Sequence, residues 1–396
     1  MYYAAIEYTT SALWRQEVNS PKLAGKLLDN GRSLCYNVIV NGNDNGNDNI
    51  CREVNYLPMA VKSQVTIKQV AQEAGVSTQT VSRVLNNRPD VAPETRQQVQ
   101  QVIARLGYRP SAIARGLISR RTYTLGLITA DFSDYFFTQV IVGAEIEARK
   151  HGYFLMLSST ERNPQDEPEY IRLLTERHVE GILFARPSTE PDQRHLVDLL
   201  RNEVPVVTTA YHIPGETLTV VDVDNVDGAY QATRCLLETG QRRVALITGP
   251  ANWKSVSDRT QGYTLALAEA GIAFAPGLVT EGDWSYRSGY RAMQELLNRG
   301  QPFTALFAQN DRMAIGAIRA LREAGRRIPQ DVAVVGYDDT PEAEYVDPPL
   351  TTMRQPMREV GAVAARLLIQ IIEEPGKDQG GEVLLKTELI RRWSCA

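Results

Sequence analysis

Cysteine is scarce. The 396 residues hold four, Cys35, Cys51, Cys235 and Cys395, with no CxxC or other metal-ligand spacing. So few in so long a chain do not build a disulfide framework, and a reducing compartment fits them. The four histidines, His151, His178, His195 and His212, show no ligand spacing either, so no metal is expected. No apolar run approaches the roughly 18 residues of a membrane span. The opening MYYAAIEYTT lacks a basic stretch followed by an apolar core. Neither a membrane partner nor a secretory leader is expected, and the cytoplasm is. The short motifs of common enzyme classes are missing too: GxGxxG, GxxxxGK followed by Ser or Thr, HExxH and GxSxG. No catalytic residue and no cofactor can be assigned, and an enzyme is not expected.

A large excess of charge is also absent, since the formal net charge is -4. That average conceals an asymmetry. Between Lys62 and Thr122 stand ten basic residues and only three acids, Glu73, Asp90 and Glu94, so this segment carries +7 and the remainder -11. A basic head on an acidic body is the electrostatic footprint of a nucleic-acid reader joined to another domain. Length and a 43% hydrophobic share allow two or three globular domains. Residues 1–60 stand apart. They contain NGNDNGNDN at 41–49, a polar low-complexity run that cannot bury a core, and disorder is expected there.

The most informative stretch is VTIKQVAQEAGVSTQTVSRVLN, residues 65–86. It reads as two short helices joined by a tight turn. Ile67, Val70, Ala71 and Ala74 share one helical face, and Gly75 permits the sharp turn. Ser77 stands where a helix N-cap belongs. Val81, Val84 and Leu85 supply the apolar side of the second helix. Thr78, Gln79, Ser82 and Arg83 are left on its other side, short polar and basic groups suited to base edges and phosphates in a major groove. Gln79 can bond bidentately to adenine, and the Thr78 methyl can touch a thymine methyl. Arg83 suits a base or a phosphate. Thr66, Ser77 and Ser82 suit the DNA backbone, which fixes register. A third helix to about Leu106 follows Pro93. Its Val99, Val102, Ile103 and Leu106 can close a small three-helix core, and Gly107 stops it.

Residues 65–86, with LGYRPSAIARGL at 106–117, resemble the LacI/GalR family of bacterial transcription repressors. The resemblance rests on VSxxTVSRVLN and on Tyr-x-Pro-x-x-x-Ala-x-x-Leu downstream, and with the motifs below it runs from about Met59 to the C-terminus. It implies that SAIARGL, 111–117, is a hinge helix. Isolated helices this short are marginal in water, so the hinge would fold only against a second hinge and DNA. Ala114 and Gly116 are small enough for two such helices to approach. Leu117 matches the leucine that family members wedge into the minor groove. The implied partners are a near-palindromic double-stranded operator, a second copy of the chain and a small-molecule effector. After Leu389 the chain ends LIRRWSCA without leucine heptads, so a dimer is expected and a family-style tetramerising tail is not.

From Tyr123 the pattern changes to alternating strands and helices. TLGLIT, YFLMLSS, GILFA, VPVVTT and LTVVDV read as buried strands, with helices around 137–150, 168–178 and 192–202 between the first four. RVALIT, 278–281, TALFAQ and VAVVGY form a second set, with helices around 225–239, 259–270, 286–299 and 311–324. Two parallel, doubly wound sheets follow. PLTTMRQP, a helix near 356–373 and EVLLKTEL read as crossings between the two lobes. The expected fold is therefore an all-α helix-turn-helix head plus an α/β two-lobed effector domain, which resembles the periplasmic-binding-protein-like domain of the family. The expected layout is a disordered extension or mis-called start at 1–60, the DNA-binding head at 61–110, the hinge at 111–121 and the effector and dimerisation domain at 122–396.

Parallel sheets place ligands at the carboxyl ends of their strands. Aromatic, guanidinium, amide and carboxylate groups gather there, as a sugar requires. The resemblance implies effector contacts from Arg259 in the SxR motif, Asn310 in the Asn-Asp motif, Asp338 in GYDD and the Trp284 ring in EGDWS. Tyr135 and Phe136 fall where ring-binding members place aromatics, and Asp131 is a weaker candidate. A sugar is the first reading of the effector, and a nucleobase or nucleoside would use the same groups. Lobe closure around it would separate the hinges and weaken operator binding, with a corepressor, which strengthens binding, as the alternative, because the residues do not fix the sign. A sugar receptor that never touches DNA is the rival class, and the basic head argues against it. If residues 1–58 are a mis-called start, the natively expressed protein has the intact mass of a chain beginning near Met59. A mass corresponding to Met1 refutes that.

Overall fold

The structure is a computed structural model, which describes residues 65–108, 121–185, 194–201, 204–210, 218–376 and 380–395. The chain divides after Pro110 into two compact units. The expectations for residues 1–60 and for the hinge, including Ala114 and Leu117, lie outside the described residues.

The first unit is a three-helix head. Its helices are α1 (Ile67–Glu73), α2 (Thr78–Leu85) and α3 (Pro93–Leu106). Thr66 caps α1 in a capping box: its hydroxyl accepts the Gln69 N–H, and the Gln69 side chain accepts the Thr66 N–H. The Ser77 hydroxyl accepts the Thr80 N–H at 3.0 Å and caps α2. Between them Gly75 adopts φ +61°, the left-handed conformation that makes the turn tight. Val70, Ala71 and Ala74 meet Val81, Val84, Val99 and Val102 in one core, with Ile67, Leu85, Ile103 and Leu106 packed around it.

The second unit has two lobes built on two six-stranded sheets. The first sheet contains β1 (Thr124–Thr129), β2 (Phe154–Ser159), β3 (Gly181–Ala185), β4 (Val206–Thr209), β5 (Thr219–Val223) and β11 (Gly381–Leu385), in the order β11-β5-β4-β3-β1-β2. All its pairings are parallel. The second sheet contains β6 (Val244–Thr248), β7 (Val279–Glu281), β8 (Ala305–Ala308), β9 (Ala333–Asp338), β10 (Thr351–Arg354) and β12 (Glu388–Ile390), in the order β12-β10-β9-β8-β6-β7. Only β12 runs antiparallel, against β10. Strands β1, β3, β5 and β6 are buried on both faces because helices cover both faces, which is why they read as largely apolar runs rather than alternating ones.

Helices α4 (Tyr135–Lys150) and α12 (Met357–Glu373) share one core of the first lobe with its sheet, and α5 (Glu167–Glu176) and α6 (Arg194–Arg201) cover the other face. In the second lobe α7 (Asn225–Glu238) and α8 (Lys254–Glu269) cover one face, α9 (Tyr286–Asn298) and α10 (Asp311–Glu323) the other, and the short α11 (Glu342–Tyr345) follows β9. The chain crosses between lobes after β5, after β10 and after β11, as the late segments indicated. The expected helix at 259–270 begins earlier, at Lys254, so Arg259 stands in its second turn rather than at its start. Trp253, with no side-chain capping bond, precedes it, and no capping residue marked the true start.

A Cβ at Gly75 would meet nothing within 4 Å, so its replacement tests backbone conformation alone. Gly75→Ala is expected to destabilise the head by about 1 kcal/mol. Faster hydrogen exchange of the α1 and α2 amides would report it, with the second unit unaffected.

Candidate functional site

On the head, the first turn of α2 presents Thr78 and Gln79. Both are exposed, and among the described residues neither side chain has a hydrogen-bond partner. Arg83 is also exposed and sits 3.5 Å from Asp90, an ion pair between half-exposed groups that contributes little and that a phosphate can displace. Ser82 is partly buried and accepts only a long bond, 3.5 Å, from Asn86 Nδ2. The Thr66 and Ser77 hydroxyls are engaged in capping, so their bonding capacity serves the helix ends first.

The second unit encloses a cavity of about 800 Å³, mouth included, between its lobes. Its walls are residues at or just after the carboxyl ends of β1, β4, β5, β6, β7, β8, β9 and β10, as the parallel topology requires. Tyr135, Phe136, Arg259, Trp284, Asn310 and Asp338 all line it. Asp131 does not. It bonds Ser133 and pairs with Arg162 at 3.0 Å.

Arg259 is 4% exposed. Its Nε donates to Asn225 Oδ1 at 2.8 Å and its Nη1 to the Gln309 carbonyl at 2.5 Å. The Tyr337 ring lies beneath, 3.7 Å from the guanidinium carbon, and Trp284 stands at 5.9 Å. Trp284 is held by shape. Its ring lies on Gly249, where a Cβ would come within 2.1 Å of it, and its centroid is 5.2 Å from that of Trp253. Asn310 has less freedom than its motif implied. Its Oδ1 accepts the Met313 N–H, capping α10, and its Nδ2 donates to the Trp284 carbonyl at 3.1 Å. It borders the cavity but chiefly secures the Trp284 loop.

Sequence reasoning missed several lining residues. Asp222 is the penultimate residue of β5, and Lys254 reaches to 3.8 Å from it across the lobes. Arg312 reaches Asp134 at 3.5 Å, also across the lobes. Asn225 and Gln355 sit on the crossovers, and Gln355 donates to Asp338 at 2.6 Å. An acid inside the apolar run TVVDV was a signal for Asp222. Nothing local marked Gln355 or Arg312. Buried polar atoms without partners gather in the same walls: Trp284 Nε1, Thr340 Oγ1 and Gln355 Oε1. Left unpaired, such groups cost free energy, and a polar ligand can satisfy them. Backbone strain gathers there as well. Ala210, Trp284, Asp338 and its neighbour Asp339 all have positive φ.

Burial pushes the Asp338 carboxyl up to about 7, against the pull of the Arg259 guanidinium and with Asp134 adding to the rise. Burial likewise raises Asp222 to about 6, with the Val223 N–H and Lys254 opposing. Asp311, beside them and fully buried, is pushed up by burial and by Asp338, though it accepts bonds from the Thr340 N–H and the Thr352 hydroxyl. Near neutral pH the Asp338 carboxyl can therefore accept or donate a hydrogen bond.

A helix-turn-helix head and a two-lobed cavity domain in one chain define an effector-controlled transcription regulator. Residues 66–111 match the family model described as bacterial regulatory proteins, lacI family, and residues 233–395 match the periplasmic binding protein-like domain. The HTH-type transcriptional regulator CelR of Thermobifida fusca is 38% identical over 321 residues, covering 79% of this chain and 94% of that protein. The solved CelR–cellobiose complex superposes with TM-score 0.65 at 37% identity, covering 83% of this chain and 99% of that one. The Lac repressor dimer bound to operator and the anti-inducer ONPF gives 0.76 at 29% identity, covering 84% and 99%. The chain belongs to the LacI family. It is a DNA-binding transcriptional regulator rather than an enzyme. Among the described residues, no helix is long and apolar enough to cross a membrane.

The raised Asp338 carboxyl links stability to pH. Its usual value is near 4. Between about pH 4 and pH 7 the folded protein keeps a proton that the unfolded chain has lost, so this group's contribution to stability falls as pH rises through that window. Asp338→Asn removes the titration. The Tm of the variant minus that of the parent is expected to be larger at pH 8 than at pH 5, and equal differences at both would remove the assignment.

Proposed function

We propose that this regulator is a repressor whose operator affinity is lowered by a neutral sugar bound between the two lobes. The charge balance of the cavity carries this reading. Asp134, Asp222 and Asp338 face Lys254, Arg259 and Arg312, and even with the raised Asp338 carboxyl partly protonated near neutral pH the imbalance is small, so the walls do not call for a strongly charged ligand. Carboxylates and guanidinium groups suit adjacent hydroxyls, and the Trp284 and Phe136 rings suit the C–H face of a sugar ring. The cellobiose bound to CelR supports the same class. We assign Asp338 and Arg259 to the ligand hydroxyls, Trp284, Tyr135 and Phe136 to its apolar face, and Asn310 to the wall that holds Trp284.

On DNA, Thr78 and Gln79 read base edges, Arg83 takes a base or phosphate, and Thr66, Ser77 and Ser82 set register on the backbone. Ala114 and Leu117 are assigned to the hinge and its minor-groove wedge. Two copies bind one near-palindromic operator. Support for a dimer comes from β2, an edge strand of the first sheet that leaves Phe154 78% exposed and Leu157 partly so. An apolar edge strand of this kind calls for a partner, and a second copy supplies one. Closure can act on DNA only because the ligand prefers one arrangement of the lobes over the other.

Thermal-shift and calorimetric screening against neutral sugars, sugar phosphates, nucleobases and nucleosides tests the effector. Stabilisation by a neutral sugar is expected, and stabilisation by nucleobases alone overturns the reading. With the responding sugar, Asp338→Ala is expected to lose the effect on operator binding while retaining operator affinity within about twofold of the parent. Loss of both together assigns Asp338 to folding instead.

A further inference from the structure

We propose that Cys235 and Cys395 form an oxidation site: a peroxide joins them in a disulfide that fastens the C-terminal strap of the second lobe to helix α7. The two sulfur atoms lie 3.4 Å apart, already in van der Waals contact. A disulfide needs roughly 2.0 Å, so side-chain rotation and a small shift of a short turn suffice. Both thiols are buried and free.

The strap is the segment after β12. Arg392 donates to Asp339 at 2.7 Å and to the Leu350 carbonyl at 2.9 Å. The Ser394 hydroxyl bridges the Thr351 N–H and the Val334 carbonyl. Cys395 then turns inward against Cys235, whose own helix faces the same core. Trp393, two residues before Cys395, is 73% exposed, so the strap runs along the surface and a local fluctuation of it admits a small peroxide to the pair. Arg391 holds Glu238 at 2.8 Å and is near enough to act electrostatically on both thiols. The hydrogen bond from Cys395 pulls the Cys235 thiol below its usual range, against burial, and Arg391 adds to the pull. Either sulfur can donate to the other, so either can be the first nucleophile, with the same disulfide as product; one route begins at Cys235.

Its thiolate attacks one peroxide oxygen, the O–O bond breaks, and a sulfenic acid forms on Cys235 while the departing hydroxide takes a proton and leaves as water. The Cys395 sulfur then attacks the Cys235 sulfur. The S–O bond breaks, the S–S bond forms, and the Cys395 proton leaves with the hydroxyl as a second water. Two electrons pass from the two sulfurs to one hydrogen peroxide, and a small thiol reverses the change. The site is independent of what the cavity binds.

The test uses the full chain carrying Cys35→Ser and Cys51→Ser, so that only this pair remains. Hydrogen peroxide is added to folded protein, and the product is alkylated under denaturing conditions and digested with trypsin. The expected product is the peptide CLLETGQR, starting at Cys235, linked to WSCA, which carries Cys395, with the loss of two hydrogen atoms. Tm is expected to rise by about 5 °C or more, as for a bridge closing a long loop, and dithiothreitol should reverse it. Cys235→Ala in the same background should show no peroxide-dependent rise, whatever its own Tm. Two thiols that remain alkylatable, sulfinic acids without a linked peptide, or a rise that persists in Cys235→Ala each overturn the proposal.

Discussion

The cavity depends on a buried cation. Arg259 has no carboxylate within ion-pair distance among the described residues, yet its guanidinium is nearly inaccessible. Such a charge is tolerable only where dipoles and π-density replace water. Asn225 from the first crossover, the Gln309 carbonyl at the end of β8 and the Tyr337 ring on β9 perform that replacement. Each arrives from a different part of the second lobe or from the crossover into it. Holding the guanidinium therefore fixes the crossover, two strand ends and α8 relative to one another.

The Gln-Asn-Asp triplet at 309–311 performs the complementary task. Gln309 accepts the Gly249 N–H and donates to Val256 and Thr260, which seats the start of α8. Asn310 caps α10 and holds the Trp284 carbonyl. Asp311 receives the Thr340 N–H and the Thr352 hydroxyl. Three consecutive side chains thus tie the loops after β6, β7 and β9 to one strand end. The left-handed backbone at Trp284 and Asp338 persists because these contacts over-determine it. Paired charges reach across the cleft at two places, Lys254 to Asp222 and Arg312 to Asp134, so the two lobes are tied electrostatically at the cavity wall.

Much of the fold was legible in the residues. Buried parallel strands appear as short apolar runs, and their spacing by amphipathic segments leaves little choice but two doubly wound sheets. Gly75 and Ser77 encoded their turn and cap locally, through a permitted φ and a hydroxyl that accepts the N–H three residues on. The cavity residues were legible where they follow strand ends. Asn310 shows the limit of that reading: it lines the cavity, but its hydrogen bonds are directed to Met313 and Trp284, and no spacing along the chain reveals that.

Sequence by itself determined the periodicities, the caps, the turn at Gly75, the basic head and the family to which they belong, because each depends on neighbours within a few residues or on charge summed over a segment. Tertiary structure alone decided which distant groups share a surface. It brought Asp222 to Lys254, Gln355 to Asp338 and Cys235 to Cys395, the last two from partners separated by 17 and 160 positions. Those meetings follow from how parallel sheets wind and how the chain crosses between lobes, and pairing at such separations leaves no local imprint in the chain.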